Sequence, residues 1–284
     1  MIRFGPSGNS QIFYDDGGKT SFEAPKWCKE HGLLAYEYSF GRMFNMSHDK
    51  AKFLGDEAEK NEVLVSVHAP YYINLANPSD DVFEKNINYL TTSLSYLQDF
   101  KGTQCVFHPG SCGKEPRNIA FNRLLSRMDK LLESIYSAGY GHLFICPETM
   151  GKSQQLGSVE EIVEMCKFDK CLIPTLDFGH INAVTGGTLK TVDDYRKILD
   201  LVYNELGEFK AKNLHIHFSK IEYTSKGEVK HLTLDDTIYG PEFEPLAVVL
   251  KEMGLEPTII SESKGTMMED AIKLKNIYES IGGN

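Results

Sequence analysis

No stretch of the 284 residues approaches the ~18 uninterrupted apolar positions of a membrane-spanning helix, so no membrane segment is expected. The amino terminus, MIRFGPSGN, lacks a basic segment followed by an apolar one, and no secretory signal is read there. Cysteine is sparse. The six present (Cys28, Cys105, Cys112, Cys146, Cys166 and Cys171) are too dilute for a disulfide scaffold, and several fall in apolar runs, as reduced thiols of a cytoplasmic protein do. Cys166 and Cys171 have no second cysteine pair to complete a metal set, and read as core or helix-end thiols. Positive charge is also short: 30 Lys and Arg against 40 Asp and Glu give a net −10. That disfavours indiscriminate nucleic-acid binding through a broad basic face. It leaves room for a local site where bound divalent cations reverse the field. Pro/Gly/Ser-rich linkers and low-complexity segments are missing, which predicts one domain over residues 1–284.

What is present alternates. Strand-like runs are IRFG (2–5), LAYEYSF (34–40), VLVSVHA (63–69), TQCVFHP (103–109), HLFICPE (142–148), CLIPTLD (171–177), NLHIHFS (213–219) and PTIISES (257–263). Between them lie stretches with helical spacing, such as VFEKNINYLTTSLSYLQDF, FNRLLSRMDKLLESIYSAG and DDYRKILDLVYNELG. Several stop at glycine, as at Gly32, Gly139 and Gly254. Eight strand–helix repeats in under 300 residues predict an α/β fold, a closed (β/α)8 TIM barrel. An open doubly wound sheet is the alternative, but no G-x-G-x-x-G follows the first run.

In such a barrel the active site is built where the strands end. The third run ends at His68, the fourth at His108, the fifth at Glu148, the sixth at Asp177 and the eighth at Glu262. The seventh carries His215 and His217; His180 and His231 follow nearby. Taken singly, each is most simply a core histidine or a capping carboxylate. Six successive strands ending on zinc-type ligands are not what packing alone produces. The number exceeds the three or four protein groups of one zinc, so two or three clustered ions sharing carboxylates are expected. Such clusters are typical of phosphoester chemistry.

SVHAPYYINL, VFHPGS, CPETMGK, TLDFGHINA, LHIHFSK and IISESK resemble, in order and spacing, the motifs of the endonuclease IV family, from about residue 60 to the carboxyl end. Those enzymes are zinc-dependent apurinic/apyrimidinic endonucleases on a (β/α)8 barrel. The resemblance implies one zinc on His68, His108 and Glu148, with Glu148 bridging to a second held by Asp177, His215 and Glu262. It gives a third zinc to His180 and His231. It further implies that hydroxide held between metals attacks the phosphorus 5′ to an abasic site in duplex DNA, as in base excision repair, with Glu148 and Glu262 the carboxylates nearest the chemistry. Zinc is the implied metal, with manganese as an alternative; no protein partner is implied.

The chain departs from the family pattern in places. His215 is followed by Ile216, His217 and Phe218 where the family has H-x-N-D, and Val229-Lys230-His231 stands where it has D-R-H. Glu228 or His217 are the substitutes for the missing third-zinc aspartate. The family's L-G-E-G-like loop reads LTLDDTIYG, and its amino-terminal G-x-H reads GPSGN. On the expected rim, Tyr71 and Tyr72 suit stacking on a sugar or base. Asn74 and Lys220 suit phosphate, and Arg42 could reach the lesion. Glu37, inside the second run, is a candidate partner behind a ligating histidine. Two rival readings remain. One is a single-metal sugar isomerase or epimerase of the xylose-isomerase-like barrels, using Glu148, Asp177, His215 and Glu262. The other is a non-catalytic metal-binding barrel.

Overall fold

In the computed structural model, which describes residues 1–282, all eight runs are parallel barrel strands: β1 (Arg3–Pro6), β2 (Ala35–Ser39), β3 (Leu64–His68), β4 (Gln104–Phe107), β5 (Phe144–Pro147), β6 (Thr175–Asp177), β7 (His215–Phe218) and β8 (Thr258–Ser261). The expected domain span reaches two residues further, and residues 283–284 lie outside the described part. Most strands are shorter than the runs that announced them, and proline bounds some of them. Pro174 leaves β6 only three residues, and Pro109 follows the end of β4.

The barrel consists of two four-stranded halves. β2, β3, β4 and β5 pair in that order, and β6, β7, β8 and β1 form the other half. Two seams close it. At one, Ser7 bridges to Glu37 and Leu34 N–H donates to the Phe4 carbonyl at 3.0 Å. At the other, Ile145 bridges to Leu172 and Glu148 to Thr175. The first seam requires Gly5, since a Cβ there would lie 2.0 Å from the Ala35 carbonyl oxygen.

Outer helices cover both halves with large apolar clusters, led by Leu54, Leu90, Leu94 and Leu131 on one side and Leu176, Leu199, Leu246 and Leu274 on the other. The helices Ala24–Glu30, Met128–Ser137 and Glu244–Met253 are followed by Gly32, Gly139 and Gly254 at φ of +72°, +85° and +62°. These are left-handed stops that only glycine adopts cheaply. Two helices differ from their sequence reading. The segment around 121–139 breaks at Arg127 into Arg117–Ser126 and Met128–Ser137. The helix that starts at Val192 ends as read at Gly207, whose φ of +81° and ψ of 170° are non-helical, and a second helical piece absent from the sequence reading runs on to Lys212. Among the described residues, no helix is long and apolar enough to cross a membrane.

Because side chains alternate along a strand, one residue in two points into the barrel. Inside the barrel this gives a small apolar cluster of Val106, Cys146 and Ile173, Val106 lying between Gln104 and His108 on the same strand face. Glu37, Ser66 and Gln104 stand in register across β2, β3 and β4, and form with His215 a buried polar layer. Above it, at the last inward positions, come the predicted ligands.

Candidate metal centre

Glu148 is the hub. It follows Pro147 at the end of β5, is fully buried, and is anchored by its N–H to the Phe107 carbonyl at 3.0 Å. Its Oε2 faces His68 Nε2 at 3.2 Å and His108 Nε2 at 3.1 Å. Its Oε1 faces His217 Nδ1 at 3.0 Å and His180 Nδ1 at 3.5 Å. One carboxylate thus serves two groups of nitrogens on opposite sides.

Among the described residues, donor atoms gather into five groups, four of them overlapping, those of each within 4.8 Å of one another: His68, His108 and Glu148; Glu148, Asp177, His217 and Glu262; His180, Glu228 and His231; and, sharing His217, His68 with Glu262 and the deeper pair Glu37 and His215. The first is the set expected. In the second, His217 stands where His215 was expected. Both lie on the inward face of β7 two residues apart, but His217 is one rung nearer the mouth. His215 lies below, its Nδ1 against Gln104 Oε1 and its Nε2 against Glu37 Oε2. In the third, Glu228 takes the place of the absent aspartate, 3.6 Å from His180 Nε2 and 3.8 Å from His231 Nε2. It arrives on a hairpin (Ile221–Thr224 with Gly227–His231) that carries no clear strand signal in the sequence.

The histidine partners fix which nitrogen faces the mouth. His68 Nδ1 is 2.8 Å from the Ala69 carbonyl, His108 Nδ1 3.3 Å from that of Tyr71, and His180 Nδ1 3.0 Å from that of Thr149. A carbonyl only accepts, so these Nδ1 atoms carry a proton, and each Nε2 is left facing the mouth, as a second N–H in the metal-free chain or as a lone pair for a cation. His231 Nδ1 is tied to Ser219 Oγ at 2.8 Å. Ring nitrogens therefore face carboxylate oxygens across the mouth, an arrangement that needs protons or cations between them. Asp177 Oδ2 is buried without a hydrogen-bond partner, although His180 Nδ1 is 3.2 Å away, because that proton goes to Thr149. This donor chemistry fits divalent cations, neutral imidazole and carboxylate being what zinc takes.

The electrostatics reflect the same crowding. Burial alone would lower the His68 pKa, but the Glu148 hydrogen bond and the charges of Glu148, Glu37 and Glu262 push it up to about 9. His180 also reaches about 9, where Asp177, Glu148, Glu228 and Glu262 outweigh burial. His217 is raised well above its ordinary value against the same burial cost, by Glu262, Glu37 and Glu148. Burial would raise the Glu148 carboxyl, but the His217 charge and hydrogen bonds from His108, His217 and His68 hold it well below the carboxylate range.

The cluster opens into a cavity of about 330 Å³ lined also by Tyr71, Met150, Lys152 and Gln155. Tyr71 and Tyr72 are exposed beside it, and Arg42 donates to the Tyr71 hydroxyl. Two expected rim residues are occupied elsewhere. Asn74 is spent on its own loop, its Oδ1 accepting from Ala76 and Ser111 N–H. Lys220 is buried and donates to the Asp236 carbonyl and Glu242, both at 2.7 Å. All six cysteines are free and buried, and none joins the donor groups. Sequence reasoning misses Gln104 and Ser66; being uncharged strand residues, they carry no signal.

Fold and site define a (β/α)8 barrel with a histidine–carboxylate cluster at its carboxyl mouth. The chain belongs to the xylose isomerase-like TIM barrel family, whose profile matches residues 25–277. It is 31% identical over 282 residues to an uncharacterised protein of Methanocaldococcus jannaschii, covering 99% of this chain and 98% of that one. It is 30% identical over 187 residues to a probable endonuclease 4 of Malacoplasma penetrans, covering 58% of this chain and 63% of that protein. The crystal structure of endonuclease IV from Thermus thermophilus matches with a TM-score of 0.71 at 19% identity, over 98% of this chain and 97% of that one. A D-tagatose 3-epimerase-like protein also reaches 0.71, at 21% identity over 98% and 96%. These two likenesses speak for the fold alone.

Proposed function

We propose that the chain is a metal-dependent phosphodiesterase that cuts the DNA backbone 5′ to abasic sites, in keeping with its endonuclease 4 relatives. The observation that carries this reading is the two-sided environment of Glu148, with a further donor group at His180, Glu228 and His231. A carboxylate placed between two sets of nitrogens suits a bridge between cations. A third set beside it is more than a one-metal reaction needs. Bound there, divalent cations supply Lewis acidity and a water acidic enough to act as nucleophile near neutral pH.

The chain's own residues do the rest. Glu148, Asp177 and Glu262 bring negative charge that holds like cations together, and Glu262, the most accessible of the three, faces the incoming phosphate. Tyr71 and Tyr72 offer aromatic faces to a displaced sugar or base. Arg42 and Lys152 add positive charge at the rim, where a phosphate backbone would pass. The test is incision of a duplex bearing one abasic site, with a chelator control and metal counting. Two or three bound metals without any incision would overturn the reading.

A second reading has its own support. Glu148, Asp177, His217 and Glu262 form a complete four-ligand set without help from His68, His108 or Glu228. A sugar epimerase would need only that set, with carboxylates moving a proton beside a carbonyl. One metal per chain and interconversion of ketoses would favour it.

A further inference from the structure

Below the mouth, buried polar side chains lie in contact from Gln104 up to the donor groups. Gln104 Nε2 donates to the Asn213 carbonyl at 2.8 Å. Since that carbonyl only accepts, the amide oxygen is the end turned toward His215, and His215 Nδ1–H donates to it at 3.0 Å. His215 Nε2 meets Glu37 Oε2 at 2.9 Å, and Ser66 Oγ donates to the same oxygen at 2.9 Å. The other Glu37 oxygen lies 3.0 Å from His217 Nε2, in ion-pair contact but outside hydrogen-bond geometry, and neither of these two atoms has a hydrogen-bond partner. His217 Nδ1 is left facing Glu148 and Glu262, at 3.0 and 3.6 Å. Glu37, His215 and His217 have no solvent exposure at all.

Desolvating a carboxylate this completely is costly, whereas apolar packing of the same volume is favourable. A carboxylate on the far nitrogen of a ligating imidazole fixes the ring's tautomer and orientation and makes its other nitrogen a stronger donor. We propose that Glu37, held in place by Ser66 and by the Gln104–His215 pair, is a positioning residue. It aims His217 Nδ1 at the mouth and strengthens it as a metal ligand. His215, a ligand by its motif, thus acts behind the histidine that faces the cations. The inference rests on the reading that the donor groups at the mouth hold cations.

The substitution Glu37→Gln separates charge from shape. Its carboxamide oxygen can stay against His217 Nε2, and its amide can donate to His215 Nε2 and to Ser66 Oγ, the hydroxyl turning from donor to acceptor, so the contacts survive without the charge. Zinc and cobalt(II) would be titrated into metal-free wild type and variant against a chromophoric chelator, with melting of both metal-free forms. The expected result is an unchanged or higher melting temperature, about 10–100-fold weaker binding of one equivalent, and an altered cobalt(II) absorption for that equivalent alone. Ser66→Ala, which removes only a hydroxyl donor to Glu37, guards against misfolding of the first variant; a smaller loss of affinity for the same equivalent is expected. Wild-type affinity in both variants overturns the proposal and leaves the cluster standing. Disappearance of a whole equivalent in Glu37→Gln also overturns it, because Glu37, His215 and His217 would then be ligands themselves. A wild-type protein that takes up no metal overturns the inference and the underlying reading together.

Discussion

Glu228 stands between His180 and His231, with Oε2 3.6 Å from Nε2 of the first and Oε1 3.8 Å from Nε2 of the second. A glutamate reaching from one position earlier in the hairpin thus fills the space of an aspartate missing at 229. Glu228→Gln is expected to remove one metal equivalent and leave the others bound. Elemental analysis of the purified variant checks this, and unchanged stoichiometry would exclude Glu228 as a ligand.

Gly151 tests the same group without replacing a ligand. A Cβ there would lie 2.8 Å from both Glu228 Cβ and His180 Cδ2. Gly151→Ala is expected to cost about 1–3 kcal/mol by overpacking and to weaken that third equivalent selectively. Denaturant melts with metal titration would show it; a variant as stable and as metal-rich as wild type contradicts the placement of the hairpin.

His68→Ala removes one of the two imidazoles on Glu148 Oε2 and leaves the core untouched, since His68 lies at the end of β3. Metal content should fall and incision should drop by more than the ~10–100-fold typical of a partner outside the ligand set. Turnover near that of wild type would remove His68 from the site.

Acidity gives a sign. An unfolded histidine titrates near 6.5, whereas His68 and His180 are held up to about 9 in the folded, metal-free chain. Their protonation therefore stabilises the fold fully below about pH 6.5, and that contribution is lost as pH rises through about 9. Chelated protein should melt progressively lower between pH 6.5 and 9. Metal affinity should climb over the same interval, because cations and protons compete for the same nitrogens. Calorimetry at fixed ionic strength decides, and a chelated protein that gains stability toward pH 9 contradicts the assignment.

Arg42 is exposed on the rim and makes no contact with the donor groups. Arg42→Ala should keep full metal content yet weaken duplex binding and reduce its salt slope by about one. An unaltered slope would remove Arg42 from the DNA-facing surface.

The barrel was legible because strand–helix alternation repeats eight times and each apolar run is bounded by turn residues. The donor set was mostly legible because strand ends coincide with the mouth. What escaped detection depended on a single rung or on a hidden partner. HIHF puts two imidazoles on the same face, and only the folded chain shows that His217, not His215, pairs with Asp177 in the ladder and faces Glu148 Oε1. Lys220 and Asn74 looked available for phosphate, but Glu242 and the Ser111 loop claim them from elsewhere in the chain. The hairpin carrying Glu228 is polar and glycine-bounded, a pattern shared with ordinary loops.

The two seams have a mechanical consequence. Glu37 lies at one and Glu148 at the other, while His68 and His108 belong to one half-barrel and Asp177, His217 and Glu262 to the other. Cations gripped from both sides would act as rivets across the joints where the ladder is thinnest. Stripping them should let those joints breathe, with amide exchange quickening at Leu34, Ile145 and Thr149 ahead of the strand interiors.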